Sequence, residues 1–186
     1  MAYKQNLPWP RGSVASDGSG ITMAETTWGN LEGQLFEVPD TKHGTGNPVV
    51  LRAVRNHSGS AITSANKCVR FASGDGDIGR KVAGFCNAQG QVGKPIDDCL
   101  PVGTSIASHD LFYVVEAGPC DIVACDSATE AAALVVGTLL TTDSGGTVDN
   151  AAASTGDYIL GVADETPTVS STAYRVIVHA GLSATY

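Results

Sequence analysis

Glycines, or clusters of Gly, Ser and Thr, interrupt the apolar stretches of this chain every few residues. Little uninterrupted sequence is left for a long helix, since isolated helices need roughly 12–15 residues to be even marginally stable. The 22 Gly, with 23 Ala, 15 Ser and 17 Thr, make 77 of the 186 residues. Gly, Ser and Thr are poor helix formers, which argues against a helical bundle. With 42% hydrophobic residues and near-neutral mean hydropathy, the composition also argues against disorder across the whole chain. The expectation is an all-β protein, a small β-barrel or sandwich of short strands joined by Gly/Ser/Thr turns, with one domain and an appendage.

The formal net charge of −8 is unevenly spread: −3 over residues 1–40, +6 over 41–94 and −11 over 95–186. An acidic total argues against direct nucleic-acid binding over the whole surface. The basic block is expected to meet an acidic surface, its own or a partner's. Its candidate contact residues are Arg52, Arg55, Arg70, Arg80 and Lys81.

Five cysteines (Cys68, Cys86, Cys99, Cys120 and Cys125) form no Cys-x-x-Cys pair, and no histidine stands near them at zinc-ligand spacing. Free, mostly buried thiols in a protein made in a reducing cytoplasm are therefore expected, with no metal and no cofactor. The first residues carry no apolar signal-peptide core. Charge-free windows such as residues 131–142 fall short of the ~18 apolar residues that a membrane span needs, so no membrane association is expected. Asn56-His57-Ser58 fits a glycosylation sequon, which carries little weight without secretion.

Three segments follow from the pattern. Residues 1–46 read as an extended N-terminal arm, broken by Pro8, Pro10 and Pro39 and by the flexible stretch SVASDGSG at 13–20. The arm nevertheless holds both tryptophans, and Leu7, Trp9, Trp28 and Phe36 are its candidate docking residues, on a sister subunit or another protein. The competing expectation is an arm that wraps back over its own domain. Residues 47–186 read as the β domain, basic over 47–98 and acidic over 99–186. Strand-like runs include 49–55 (VVLRAVR), 68–71 (CVRF), 80–85 (RKVAGF), 111–115 (LFYVV), 158–163 (YILGVA) and 173–178 (AYRVIV). Ser127-Ala128-Thr129-Glu130 is a capping box, which predicts one short helix over about 128–136, stopped by Gly137. Residues 139–148 predict a hairpin turning at Asp143-Ser144-Gly145-Gly146.

Motifs for chemistry are sparse. Residues 74–79 (GDGDIG) match G-x-G-x-x-G, but no helix pattern follows to receive a pyrophosphate, and two carboxylates in the loop would repel it. A hairpin turn is the expected role. Asp75 and Asp77 could offer oxygens to Ca²⁺, yet the loop lacks the further acidic positions of an EF-hand. His57, Asp110 and a serine would make a triad on paper, with nothing in the spacing to bring them together. No enzymatic activity is expected.

The residues 136–140 (VGTLL), 142–148 (TDSGGTV), 159–163 (ILGVA) and 175–178 (RVIV) resemble the C-terminal strands of tailed-phage capsid decoration proteins, also called cement or head-stabilising proteins. Residues 54–62 (VRNHSGSAI) are similar to the strand–turn–strand with which such barrels begin. The resemblance spans about 111–181, more weakly 49–85, and leaves the arm unmatched. It implies a non-enzymatic homotrimer on the outer surface of the bacteriophage virion, with the major capsid protein as partner, clamping neighbouring capsomers. A second reading is a head-fibre or adhesin-type glycan-binding structural protein, whose mark would be exposed aromatic residues in the C-terminal segment. A third, a hydrolase using His57 or His109, has no assembled constellation to support it.

Overall fold

The computed structural model describes residues 6–15, 31–125, 127–151, 158–170 and 172–183. The chain is all-β. Strands β1 (Leu35–Pro39), β2 (Pro48–Asn56), β3 (Ile62–Thr63), β4 (Cys68–Phe71), β5 (Lys81–Phe85), β6 (Gly93–Pro95) and β7 (Ser105–Ile106) cover the first half. The second half holds β8 (Leu111–Val123), the one-turn helix α1 (Ala128–Ala131), β9 (Leu139–Thr142), β10 (Val148–Asn150), β11 (Tyr158–Ala163) and β12 (Ala173–Ser183). Ten strands form one sheet in the order β10-β9-β11-β12-β8-β2-β5-β4-β6, with β1 off this path and paired to the first half of β2; β3 and β7 pair separately. The sheet does not close into a barrel. It curls instead, so that Ala124, just past β8, makes an isolated parallel bridge with Val148 of β10.

β8 explains why both faces of this sheet are apolar. Its first residues bury alternately: Leu111, Tyr113 and Val115 join the larger core, while Phe112 and Val114 join a smaller core on the opposite face. A strand buried on both sides reads as a continuous apolar run, as LFYVV does. Further along, Cys120 and Ile122 face the larger core, so the parity has switched. The cause is a one-residue bulge against β2, where Val50 pairs with Ala117 but Leu51 pairs with Val115. One inserted residue moves every later side chain to the other face.

The hairpin at 139–148 forms as its sequence predicts: β9 and β10 pair antiparallel, with Gly145 (φ 69°) and Gly146 (φ 77°) in the left-handed region at the turn. The helix is shorter than its capping box suggests. The Ser127 hydroxyl accepts from the Glu130 N–H at 3.4 Å, but beyond Ala131 the backbone tightens, Leu134 N bonding Ala131 O. Leu134 is buried while β-branched Val135 and Val136 face outward, so neither propensity nor packing extends the helix.

Residues 6–15 and 31–46 lie against the β domain. β1 pairs antiparallel with β2 from Leu35 opposite Arg52 to Pro39 opposite Pro48. Ala15 exchanges both backbone hydrogen bonds with Leu111, at 2.9 and 3.1 Å. Trp9, Phe36 and residues of both later segments share the larger core.

Candidate assembly surface

Three of the four arm residues singled out from the sequence, Leu7, Trp9 and Phe36, find seats on their own chain. Trp9 stacks on Tyr113, with ring centroids 4.4 Å apart and planes 11° from parallel. Phe36 meets the same ring edge-on at 6.0 Å. The Tyr113 hydroxyl donates to the Trp9 carbonyl at 3.2 Å, and burial pushes its own ionisation well above the usual phenol range. Leu7 packs against this core from its rim, half-buried. Trp28 lies outside the described residues.

Polar contacts tie the arm down a second time. The Arg11 guanidinium grips Asp97, with Nε 3.0 Å and Nη2 2.8 Å from Oδ1. Asp40, just past β1, accepts from the backbone N–H of Lys42, His43 and Thr45 and from the Thr45 hydroxyl, at 2.9–3.0 Å. That folds the loop so that Lys42 Nζ lies 3.1 Å from Asp98 and 2.9 Å from Asp121. His43 Nε2 stands 3.0 Å from Asp98 and 3.1 Å from Asp121. His43, Asp98 and Asp121 present ligand atoms close enough together to hold a cation, and the Lys42 ammonium sits among those carboxylates. Sequence reasoning passed over this cluster. Its signal was the adjacent Asp97-Asp98 pair, where the basic block gives way to the acidic one.

Four of the five basic-block residues meet carboxylates of the same chain. Arg52 Nε donates to Glu116 at 2.8 Å. Arg55, fully buried, pairs with Glu32 and donates to the His109 carbonyl at 2.7 Å. Arg80, half exposed, reaches the other oxygen of Glu32 at 3.4 Å, and Lys81 pairs with Asp77 at 3.0 Å. Arg70 differs: its bonds go to neutral oxygens, Asn87 Oδ1 at 3.3 Å and the Ala83 carbonyl at 3.5 Å. The block thus meets largely its own acidic surface. Lys94, buried between β8 and β12, donates to the carbonyls of Glu116 and His179. Burial lowers its pKa, with the Glu116 carboxylate opposing. Glu116 is held low in spite of its own burial, by hydrogen bonds from Arg52 and the charge of Lys94.

The loop 74–79 is a turn between β4 and β5, closed by Asp77 N–H to the Gly74 carbonyl, and a strand follows it. The fold brings His57 and His109 together, ring centroids 6.2 Å apart, while an Asp110 carboxylate oxygen accepts from Ala107 N–H. The nearby Ser58 hydroxyl bonds to Asn56. Asn56, the sequon residue, is itself buried, its amide donating to the carbonyls of Ser60, Ile106 and Ala107. The thiols of Cys68, Cys86, Cys120 and Cys125 are buried, and burial pushes Cys86 up to about 12. No helix among the described residues is long and apolar enough to cross a membrane.

Among the described residues, exposed large apolar side chains gather in two places, with Val102 and Val169 exposed elsewhere. Ile78 and Val92 flank a groove of about 430 Å³ beside Arg70 and Phe71. Val135, Val136 and Leu139 form a knuckle between α1 and β9.

No protein-family model and no curated protein matches the sequence. Among solved structures, the chain is similar to the N base of the head fibre gp8.5 of bacteriophage phi29, at 17% identity and a TM-score of 0.43, over 70% of this chain and 93% of that one.

Proposed function

We propose that this chain is a structural protein of a bacteriophage head, a decoration protein that binds the outer capsid surface and holds neighbouring capsomers together. The observation that carries the reading is the resemblance of residues 136–148, 159–163 and 175–178 to that family, because these residues make one continuous unit here. β9 pairs with β10 and β11, and β11 with β12, so the quoted motifs are neighbouring strands over a shared core. The reading carries with it a non-enzymatic role, a homotrimer and the major capsid protein as partner. Modest contacts repeated over many symmetric copies would resist internal pressure on the shell.

The glycan-binding alternative needs exposed aromatic rings in the C-terminal segment. Of the five aromatic residues there, Phe112, Tyr113, Tyr158 and Tyr174 are buried, which favours decoration, and Tyr186 lies outside the described residues. The test is co-sedimentation with expanded capsids of the matching phage. Retention on the shell, with greater resistance of the decorated heads to heat, is the expected result. A chain left entirely in the supernatant at saturating concentration overturns the proposal.

A further inference from the structure

Large apolar side chains left in water in pinned groups mark association surfaces, whereas single ones are ordinary. Two such groups stand among the described residues, and they differ in charge. The groove between β4, β5 and the segment entering β6 exposes Ile78 (71%) and Val92 (51%) beside Phe71. At its rim stands Arg70, whose Nε is buried with no hydrogen-bond partner among the described residues. Unlike its four basic neighbours, it has no carboxylate within ion-pair distance among those residues. A guanidinium bonded only to neutral oxygens at 3.3 and 3.5 Å retains most of its capacity for a charged partner.

The knuckle between α1 and β9 exposes Val135 (52%), Val136 (62%) and Leu139 (53%) within five residues. It is fixed in place: Gly137 N–H donates to the Ala163 carbonyl, and Ala163 N–H to the Thr138 carbonyl, both at 2.9 Å. The exposed Glu130 closes the helix on one side, its carbonyl accepting from Ala133 N–H, and the exposed Glu165 follows Ala163 on the other. The groove is therefore apolar with a cation at its rim, and the knuckle is apolar with exposed carboxylates on the segments that flank it, Glu130 near Asp149 and Glu165 accepting from the Arg175 N–H at 3.3 Å.

We propose that a second copy of this chain seats its Val135–Val136–Leu139 knuckle in the Phe71–Ile78–Val92 groove, with Arg70 facing the carboxylate side of the knuckle. Groove and knuckle are different surfaces, so each protomer brings one half of every junction. Arg70 on the groove side and the exposed Glu130 and Glu165 on the knuckle side supply the opposed charges. This inference deepens the decoration reading by naming the surfaces of self-association, but it concerns the free chain and stands apart from capsid binding.

The test uses two variants of the full chain. Ile78→Asp with Val92→Asp spoils the groove, and Val136→Asp with Leu139→Asp spoils the knuckle. All four positions are exposed, so the variants should keep the wild-type circular dichroism and melting temperature. Should either pair lower Tm by more than about 5 °C, the milder Ile78→Ser and Val136→Ser chains are read in the same way. In native mass measurements without capsid, wild type is expected to associate, and each variant alone to lose affinity by about 100-fold or more, since a buried carboxylate would face apolar surface. Mixed in equal amounts, the two variants still hold one intact groove and one intact knuckle, and should form a dimer of twice 19.0 kDa. A wild-type chain that stays monomeric, a variant that associates as wild type does, or a mixture that remains monomeric each overturns the proposal. Capsid co-sedimentation of the same variants is scored separately, so that loss of capsid binding leaves the mass result standing.

Discussion

Asp40 shows how one side chain positions a whole loop. Burial by itself would raise its pKa, but backbone N–H groups of His43, Thr45 and Lys42 and the Thr45 hydroxyl outweigh that, and hold the carboxyl far below its usual range. An acid held low in the fold contributes stability that is complete above the unfolded value of 3.8 and is lost as pH falls through the folded value. Asp40→Asn keeps the shape but puts an amide NH₂ against backbone donors. We expect Tm at pH 7 to fall by about 5 °C, with the gap to wild type narrowing toward about pH 2.5. Melts at the two pH values decide it, and a gap that is the same at both would mean that the carboxylate charge is not what the loop uses. Arg55 makes the complementary point. Buried with Glu32, it could not have been an outward contact, yet its sequence, alternating with Ala53 and Val54, reads like that of an exposed strand face. The partner that neutralises it stands 23 residues earlier, beyond the reach of a pattern of period two.

Among the elements, β11 and β12 show why the ILGVA motif contains its glycine. A Cβ built on Gly161 would run into the Ile177 carbonyl and lie 3.0 Å from Val178 Cα, at the place where the register between the strands shifts. Gly161→Ala should therefore cost about 2 kcal/mol, seen as a drop in Tm of about 6 °C. An unchanged melting temperature would show that the strands can part without loss. The hairpin at 139–148 and the runs 111–115 and 158–163 were legible, because turn residues and apolar runs are local signals. The length of β8 was not. Gly118 and Pro119 look like a strand end, whereas the strand carries on to Val123 through a bulge that only pairing with β2 creates. The helix shows the converse, since its local cap was readable and its early end depends on Leu134 entering the core.

For the molecule as a whole, the arm changes role between sequence and structure. Its tryptophan and phenylalanine read as docking residues, and Trp9 and Phe36 fill the larger core against Tyr113. Trp9→Ala is expected to cost about 3 kcal/mol, and a chain starting at residue 47 to lose cooperative unfolding altogether, as followed by thermal melts. A truncated chain that still melts sharply near the wild-type temperature would restore the arm as a separable appendage. The candidate surface divides in the same manner: the charge blocks were visible in the sequence, but which cations stay available was not, since four of the five basic residues named are paired within the fold and Arg70 alone lacks a carboxylate among the described residues. By itself the sequence determined an all-β chain, its turns and its acidic balance, because these follow from local propensity and composition. Only the tertiary structure decided that Trp9, Ala15 and Phe36 of the arm belong to the core, that the basic block is largely neutralised and that a groove and a knuckle remain exposed. Those outcomes depend on contacts such as Tyr113 with Trp9, 104 residues apart, and Arg11 with Asp97, 86 apart. Contacts at that separation are selected by burial and charge pairing in the folded chain, and leave no periodic trace along it.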